Sequence, residues 1–265
     1  MINRTQACSA WLLMLLWTGS RAAAQAPPPS PLPVSPAAPY DRPISLKRFI
    51  PNLASDQKRI WLFPLRLFRG TGLAPTGAVV GAAAGLVALD PIDEPYFRNT
   101  TTFGGFNRVF NSNATLYSTV ATPVVFYAVG LLRKDPKMQH TGLLAIEAIA
   151  DTYLVTTAMK DIDRRLQPIA IAPHGNFAHS WFADNARYGL SDGCFPSGHT
   201  IAATSVATIV SRRYGREHRW VPYVAYSLAG LVGFSRLTLS AHFVSDVFMG
   251  GALGYSISRF TVLGQ

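Results

Sequence analysis

Short polar turns containing glycine or proline divide the chain into apolar stretches of helical length. Six stretches are long enough for helices and lack the alternation of apolar and polar positions that marks a strand. They span residues 75–89, 116–132, 141–160, 199–212, 221–236 and 242–260. The pattern predicts an all-α protein, with a helical bundle of about six core helices forming one domain at residues 44–265.

Small residues recur within two of these stretches at the spacing of helix contacts. Gly81 and Gly85 bracket three alanines, and Gly250 and Gly254 enclose a second short run. This spacing predicts close packing against a neighbouring helix, either in lipid or in a soluble helical core.

A further segment, residues 55–68, is amphipathic and precedes the six stretches. Its apolar side carries Trp61, Leu62, Leu65 and Phe68, and Pro64 is expected to kink or split it. Two interpretations stay open, a helix lying on a bilayer surface and a helix packed on the domain.

The N-terminus has the layout of an export signal. Arg4 precedes the apolar core at residues 10–17, and small residues follow at 22–26, so cleavage is expected after Ala24 or Ala26. The alternative is an uncleaved anchor helix. Residues 27–43 contain eight prolines and predict an extended linker. The sequence therefore predicts a periplasmic or secreted protein, with attachment to a membrane left open.

Composition narrows the class of partner. The net charge of +10 favours anionic substrates or membrane surfaces, whereas no run of basic residues exceeds two and no nucleic-acid-binding motif is present. We therefore expect no nucleic-acid partner. Two cysteines, Cys8 and Cys194, are too few for a disulfide scaffold.

The pattern of charges bears on whether the six stretches cross a bilayer. Several are long enough, yet 141–160 contains Glu147 and Asp151, and 199–212 is short. If all six spanned, the basic loops would also conflict with the positive-inside rule. These features favour a water-soluble or peripherally attached protein and leave a membrane-embedded one as the alternative.

Three short motifs lie at the ends of predicted helices. They are KDIDRRLQP at 160–168, PSGH at 196–199 and SRLTLSAHFVSD at 235–246. In an up-and-down bundle they emerge on one face, where two histidines, several cations and helix N-termini suit a phosphate. His242 and Asp246 are four apart on one predicted helix, so the carboxylate can orient the imidazole. Two histidines allow one nucleophile and one general acid.

These motifs resemble the signature of the type 2 phosphatidic acid phosphatase and vanadium haloperoxidase superfamily, which reads K-x6-RP, PSGH and SR-x5-H-x3-D. The second motif is complete, and so is the third, with its arginine at Arg236. In the first, Lys160 and Pro168 are in register, but Gln167 stands where the family has arginine. The resemblance implies the helical acid phosphatase and haloperoxidase fold and hydrolysis of a phosphomonoester or lipid phosphate.

The resemblance also implies roles for individual residues. His242 would attack phosphorus and form a phosphohistidine, Asp246 would orient it, and His199 would protonate the leaving oxygen. Lys160, Arg236 and the backbone of Ser197 and Gly198 would hold the phosphate. Gln167 supplies no charge, so a nearby cation is expected to replace the missing guanidinium, either Arg164, if the helix continues one more turn, or Arg165, if the loop shifts. The loop 169–195 is expected to overhang the pocket.

No metal or other cofactor is expected for this hydrolysis, and vanadate would occupy the phosphate pocket as an inhibitor. Two other functions stay open. One is a vanadium haloperoxidase, in which vanadate is the cofactor. The other is a non-catalytic exported protein that binds anionic lipid.

Overall fold

The computed structural model describes residues 42–183 and 193–264, which contain nine α-helices, three short 3₁₀-helices, a π-helical segment at Ile257–Val262 and no strand. This confirms the all-α prediction. The predicted export signal and almost all of the predicted linker lie outside the described residues. The helices are α1 (Phe49–Trp61), α2 (Phe63–Leu67), α3 (Leu73–Asn99), α4 (Gly104–Val109), α5 (Ser112–Arg133), α6 (Pro136–Asp163), α7 (Gly198–Tyr214), α8 (Val221–Thr238) and α9 (Val244–Ser256).

All six predicted core helices are present as α3 and α5–α9, and most extend beyond the apolar stretch that predicted them. The short helix α4 was not predicted, since six residues are too few for a periodic pattern. The amphipathic segment is split as expected, but the break falls at Leu62, and Pro64 lies in the first turn of α2. Proline is tolerated there because its missing N–H has no intrahelical partner.

Helix α7 lies at the centre of the bundle and contacts α5, α6, α8 and α9. Its contact with α9 is close because Gly250 and Gly254 face it. A Cβ atom at Gly250 would lie 2.8 Å from the carbonyl oxygen of Ser197, and one at Gly254 would lie 2.5 Å from that of Ile201. The predicted role of this glycine pair is confirmed. Close approach of α9 also brings the N-terminal ends of the two helices together.

The glycines of α3 behave differently. A Cβ atom at Gly81 or Gly85 would meet nothing within 4 Å among the described residues. The predicted helix contact is therefore not made there, and this small-residue face of α3 points outward.

A buried polar cluster attaches α1 to α6. Arg42 pairs with Asp56 at 2.7 Å and with Glu147 at 2.5 Å, and Gln57 donates to Asp151 Oδ1 at 2.8 Å. The acidic residues of α6 thus face α1 inside the protein. In the sequence, Glu147 and Asp151 counted against a membrane-spanning helix. Because neither carboxylate faces outward, they do not argue against a membrane location.

Three helices are long and apolar enough to cross a membrane, namely α3, α5 and the segment that contains α6. In the most apolar window of α3 only 11% of residues are buried, and in that of α5 only 17%. Apolar side chains such as Ile92, Tyr117 and Leu132 are largely exposed. An outward apolar surface of this size supports membrane association, so of the two forms that the sequence favoured, a water-soluble protein is disfavoured and a membrane-attached one is not.

Candidate active site

His242 lies in the turn between α8 and α9, and not on a helix as the sequence had suggested. Ser240 adopts a left-handed conformation (φ 47°), and the amides of Ala241 and His242 both donate to the carbonyl of Arg236. This tight turn ends at Phe243, the N-cap of α9. His242 is therefore fixed by the turn that follows Arg236, and the two residues are held side by side.

Asp246 lies in the first turn of α9 and faces back toward His242. Its Oδ2 accepts a hydrogen bond from the amide of Phe243 at 2.9 Å and lies 3.4 Å from Nδ1 of His242. The bond to Phe243 caps the helix and at the same time fixes the carboxylate. A carboxylate held in this way selects the imidazole tautomer with its proton on Nδ1, which leaves Nε2 with a lone pair.

The other oxygen of Asp246 is bound by Arg165, which is almost completely buried. Nη1 of Arg165 lies 2.5 Å from Asp246 Oδ1, and Nη2 lies 2.7 Å from Oδ2 of Asp90. Asp90 belongs to α3 and also accepts from the amide and hydroxyl of Ser245 in α9. One guanidinium thus joins two buried carboxylates, and it links α3 to the start of α9.

Arg165 is also enclosed by aromatic rings. Its guanidinium carbon lies 3.9 Å from the ring centre of Phe243 and 4.4 Å from that of Trp181. Its Nε donates to Ser180. Ser180 and Trp181 of the loop 169–195 thus contact Arg165, while residues 184–192 of the loop lie outside the described residues, and the predicted overhang of the pocket stays a prediction.

These contacts bear on the first motif, in which Gln167 stands in place of the family's arginine and a nearby arginine was expected to replace it. Helix α6 ends at Asp163, so the extra turn needed to place Arg164 beside Lys160 does not form. Arg164 adopts a left-handed conformation and is exposed, as is Gln167. Of the residues considered for the missing phosphate ligand, Arg165 does reach the site, and its charge is already paired with Asp90 and Asp246.

Cys194 occupies a position that the sequence did not single out. Its thiol donates to Asp246 Oδ2 at 2.8 Å, and its sulfur lies 3.2 Å from Nδ1 of His242. The residue is fully buried. The thiol and the imidazole thus share one carboxylate oxygen.

The cationic side of the site comes from α5, α6, α7 and α8. Arg236 is buried and donates to Ser112 Oγ at 3.0 Å and to the carbonyl of Phe110 at 3.1 Å. His199, in the first turn of α7, contacts the carbonyl of Ser112 through Nε2 at 3.1 Å. The start of α5 therefore holds both groups. The charge of Lys160, in the last turn of α6, acts on both histidines.

The residues at the start of α7 divide into two groups. Ser197 is the N-cap, and its amide donates to the carbonyl of Asp246 at 3.0 Å while its hydroxyl accepts from Thr200. Its backbone N–H is thus engaged within the protein and not directed to a phosphate. Gly198 and His199 begin the helix, where amides have no intrahelical acceptor and suit an anion.

Burial sets the protonation of the two histidines. Together with the positive charge of Arg236, it lowers the pKa of His199 to about 4. Burial also lowers the pKa of His242, and this outweighs the hydrogen bond to Asp246. For Asp246 burial acts in the opposite direction, but His242 and Arg165 together hold its pKa below the usual value. Near neutral pH the site pairs a neutral His242 with an ionised Asp246.

Asp90, Ser112 and Ser245 were missed by sequence reasoning. Asp90 lies at the end of an apolar stretch and Ser112 in an ordinary polar turn, so neither carries a local signal. A carboxylate that interrupts a long apolar helix is the one clue that could have been used, since it needs a buried partner.

Parts of the chain are similar in sequence to known proteins. The model of the PAP2 superfamily matches residues 141–265. Two curated relatives from Porphyromonas gingivalis match shorter segments. "Lipid A 1-phosphatase" is 36% identical over 71 residues, which is 27% of this chain and 16% of that protein. "Lipid A 4'-phosphatase" is 31% identical over 86 residues, which is 31% of this chain and 36% of that protein. The matches thus span about a third or less of the length of these relatives.

A solved structure is also similar. The transmembrane PAP2 type phosphatidylglycerolphosphate phosphatase from Bacillus subtilis is 23% identical, with a TM-score of 0.44, over 79% of this chain and 94% of that one.

Proposed function

The PAP2 superfamily model matches residues 141–265, and on this premise we propose that the protein is a membrane-associated, metal-independent phosphatase that hydrolyses a lipid phosphate. One observation carries the proposal. His242 is held by a carboxylate at Nδ1, and His199, Arg236 and Lys160 are gathered beside it. A nucleophile oriented in this way next to several cations is the arrangement that phosphoryl transfer through a covalent intermediate requires.

In the proposed reaction Nε2 of His242 attacks phosphorus while the bond to the leaving oxygen breaks. His199 donates its proton to that oxygen, and the alcohol departs. Water then attacks the phosphohistidine, its proton passes to His199, and inorganic phosphate is released. Asp246 stabilises the imidazole as its positive charge develops, and Lys160 and Arg236 stabilise the charge on the phosphoryl oxygens.

A lipid substrate is supported by the surface next to Arg236. The ring centre of Phe234 lies 5.3 Å from that of Phe103 and 5.5 Å from that of Phe106, and Phe110 stacks on Phe106 at 4.6 Å. The carbonyl of Phe110 itself accepts from Arg236. An apolar chain could lie along these rings while its phosphate reaches the guanidinium.

The relatives named as lipid A phosphatases make lipid A the first lipid to test, together with a short-chain phosphatidate. The predicted export signal supports a site on the outer side of the cytoplasmic membrane. The apolar helices α3, α5 and α6 would hold the protein there.

The test uses the full chain in detergent and measures phosphate released from both lipids in the presence of EDTA. We expect release that EDTA does not abolish, that vanadate inhibits, and that disappears in His242→Ala. His218→Ala is the matched control, because His218 is exposed on a loop before α8. No release from either lipid, or equal release by His242→Ala, would overturn the proposal.

The covalent step has its own test. With a radiolabelled substrate, a rapid quench should trap an acid-labile phosphoryl group on the wild type and none on His242→Ala. The same quench is applied to His199→Ala, in which transfer of the phosphoryl group to water is slowed. If this variant turns over substrate but carries no trapped label, the result contradicts a phosphohistidine.

A further inference from the structure

Three potential metal ligands of different chemical types meet at the back of the His242 ring. The sulfur of Cys194 lies 3.2 Å from His242 Nδ1 and 2.8 Å from Asp246 Oδ2, and these two atoms are 3.4 Å apart. All three residues are buried. Among the described residues they form the one such group of histidine, cysteine and carboxylate atoms within 4.8 Å of one another.

From this geometry we propose that Cys194, His242 and Asp246 form an inhibitory binding site for a thiophilic divalent cation such as Zn²⁺. Thiolate, imidazole and carboxylate are the three ligand types of zinc sites. With metal–ligand bonds of about 2.0–2.3 Å, tetrahedral coordination places ligand atoms roughly 3.3–3.7 Å apart, so the triangle needs to widen by less than about 1 Å.

The ionised groups behind the cluster do not add a net positive charge to it. Arg165, which contacts Asp246, is itself paired with Asp90, so with a neutral thiol Asp246, Asp90 and Arg165 together carry one net negative charge. When Zn²⁺ binds, the thiol proton leaves to solvent, and thiolate, carboxylate and metal sum to zero. The proton that Cys194 now shares with Asp246 occupies the place that the metal would take.

Binding at this position would block the chemistry of His242 and would not assist it. A neutral imidazole carries one proton, and a metal on Nδ1 leaves that proton on Nε2. The lone pair that attacks phosphorus is then lost. Inhibition by Zn²⁺ rests on the proposed function, whereas binding of Zn²⁺ does not, so the two can be measured separately.

Binding is measured on the full chain in detergent, in a Cys8→Ser background that leaves Cys194 as its one thiol. We expect about one Zn²⁺ per chain after equilibrium dialysis, and with Cd²⁺ an ultraviolet thiolate-to-metal charge-transfer band. Cys194→Ser keeps a donor to Asp246 but removes the thiolate, and we expect at least a tenfold weaker affinity and no band. His218→Asn, a change at an exposed histidine, should behave like the background.

Absence of the Cd²⁺ band in a folded Cys8→Ser protein would overturn the proposal, and so would equal Zn²⁺ affinity of Cys194→Ser. If phosphatase activity is found, Zn²⁺ should inhibit the background protein at a concentration at least tenfold lower than it inhibits Cys194→Ser. Mg²⁺, which prefers oxygen ligands in an octahedral arrangement, should inhibit neither. Each variant is compared with its own activity in EDTA, so a change in basal rate does not affect the comparison. Metal binding without any activity would retain the site and reject the proposed function.

Discussion

Nη1 of Arg165 lies 2.5 Å from Oδ1 of Asp246, and the guanidinium completes its pairing with Asp90 on another helix. The arginine of the first motif region therefore acts on the carboxylate behind the nucleophile. Its electrostatic effect on His242 passes through Asp246, because a carboxylate shared with a guanidinium attracts the imidazole proton less strongly.

Removal of Arg165 should destabilise the protein strongly. Arg165→Ala leaves two buried carboxylates without their cation, and loss of one partner of a buried ion pair typically costs about 3–5 kcal/mol. Denaturant or thermal unfolding in detergent would measure this. Gln167→Ala, at an exposed position two residues away, should change the free energy of unfolding by no more than about 0.5 kcal/mol. Similar effects of the two substitutions would contradict the arrangement of this loop.

Loss of His199 should depend on the leaving group. A general acid contributes about 10²–10⁴-fold to rate, so His199→Ala should lose that much with an alkyl phosphate. With p-nitrophenyl phosphate the loss should be much smaller, because nitrophenolate leaves without a proton. Turnover of both substrates is measured with the same enzyme preparation. Equal losses would mean that His199 binds phosphate and donates no proton.

The pH dependence follows from the lowered pKa of His199. As an acid it needs its proton, and with a pKa of about 4 its protonated fraction falls about tenfold per pH unit above that value. His242 stays neutral over this range because burial lowers its pKa as well. We therefore expect kcat/KM for an alkyl phosphate to fall as pH rises from about 5 to about 8. His199→Ala should lose this decline, whereas an unchanged profile in that variant would assign the titration to another group.

The two glycine pairs should respond oppositely to alanine. A Cβ atom at Gly254 would lie 2.5 Å from the carbonyl of Ile201, so Gly254→Ala should cost about 1–3 kcal/mol through overpacking. At Gly81 nothing lies within 4 Å, and alanine is the better helix former by about 0.5–1 kcal/mol. Unfolding midpoints of the two variants in detergent provide the comparison. Destabilisation by Gly81→Ala would show that α3 packs on a partner there.

Local sequence patterns predicted the helices because apolar periodicity is a local property. They also predicted that His242 and Asp246 are neighbours, but the pair is brought together by a different local structure from the one predicted. Phe243 is an uncommon N-cap, so nothing in the sequence marked the start of α9 two residues after the histidine. The pair meets across a turn and a cap, where the sequence had suggested one turn of helix.

The partners of Asp246 could not be predicted from local patterns. Asp90 is 75 residues from Arg165, and Cys194 is 52 residues from Asp246. Their contacts depend on how α3 packs on α9 and on the path of the loop before α7. The burial of Arg165 could not be predicted either, because it depends on where α6 ends and not on the spacing within the motif.

The position of Asp90 on α3 has a consequence for biogenesis. If α3 crosses the bilayer, as its length and composition allow, it emerges during synthesis long before Arg165 and α9, and its carboxylate would enter the bilayer without its cation. An unpaired acid at the centre of a membrane helix costs about 2.5–3.5 kcal/mol on insertion scales. Stable residence of α3 in the bilayer should therefore await the arrival of the C-terminal half, and a nascent chain arrested before Arg165 should retain this helix poorly.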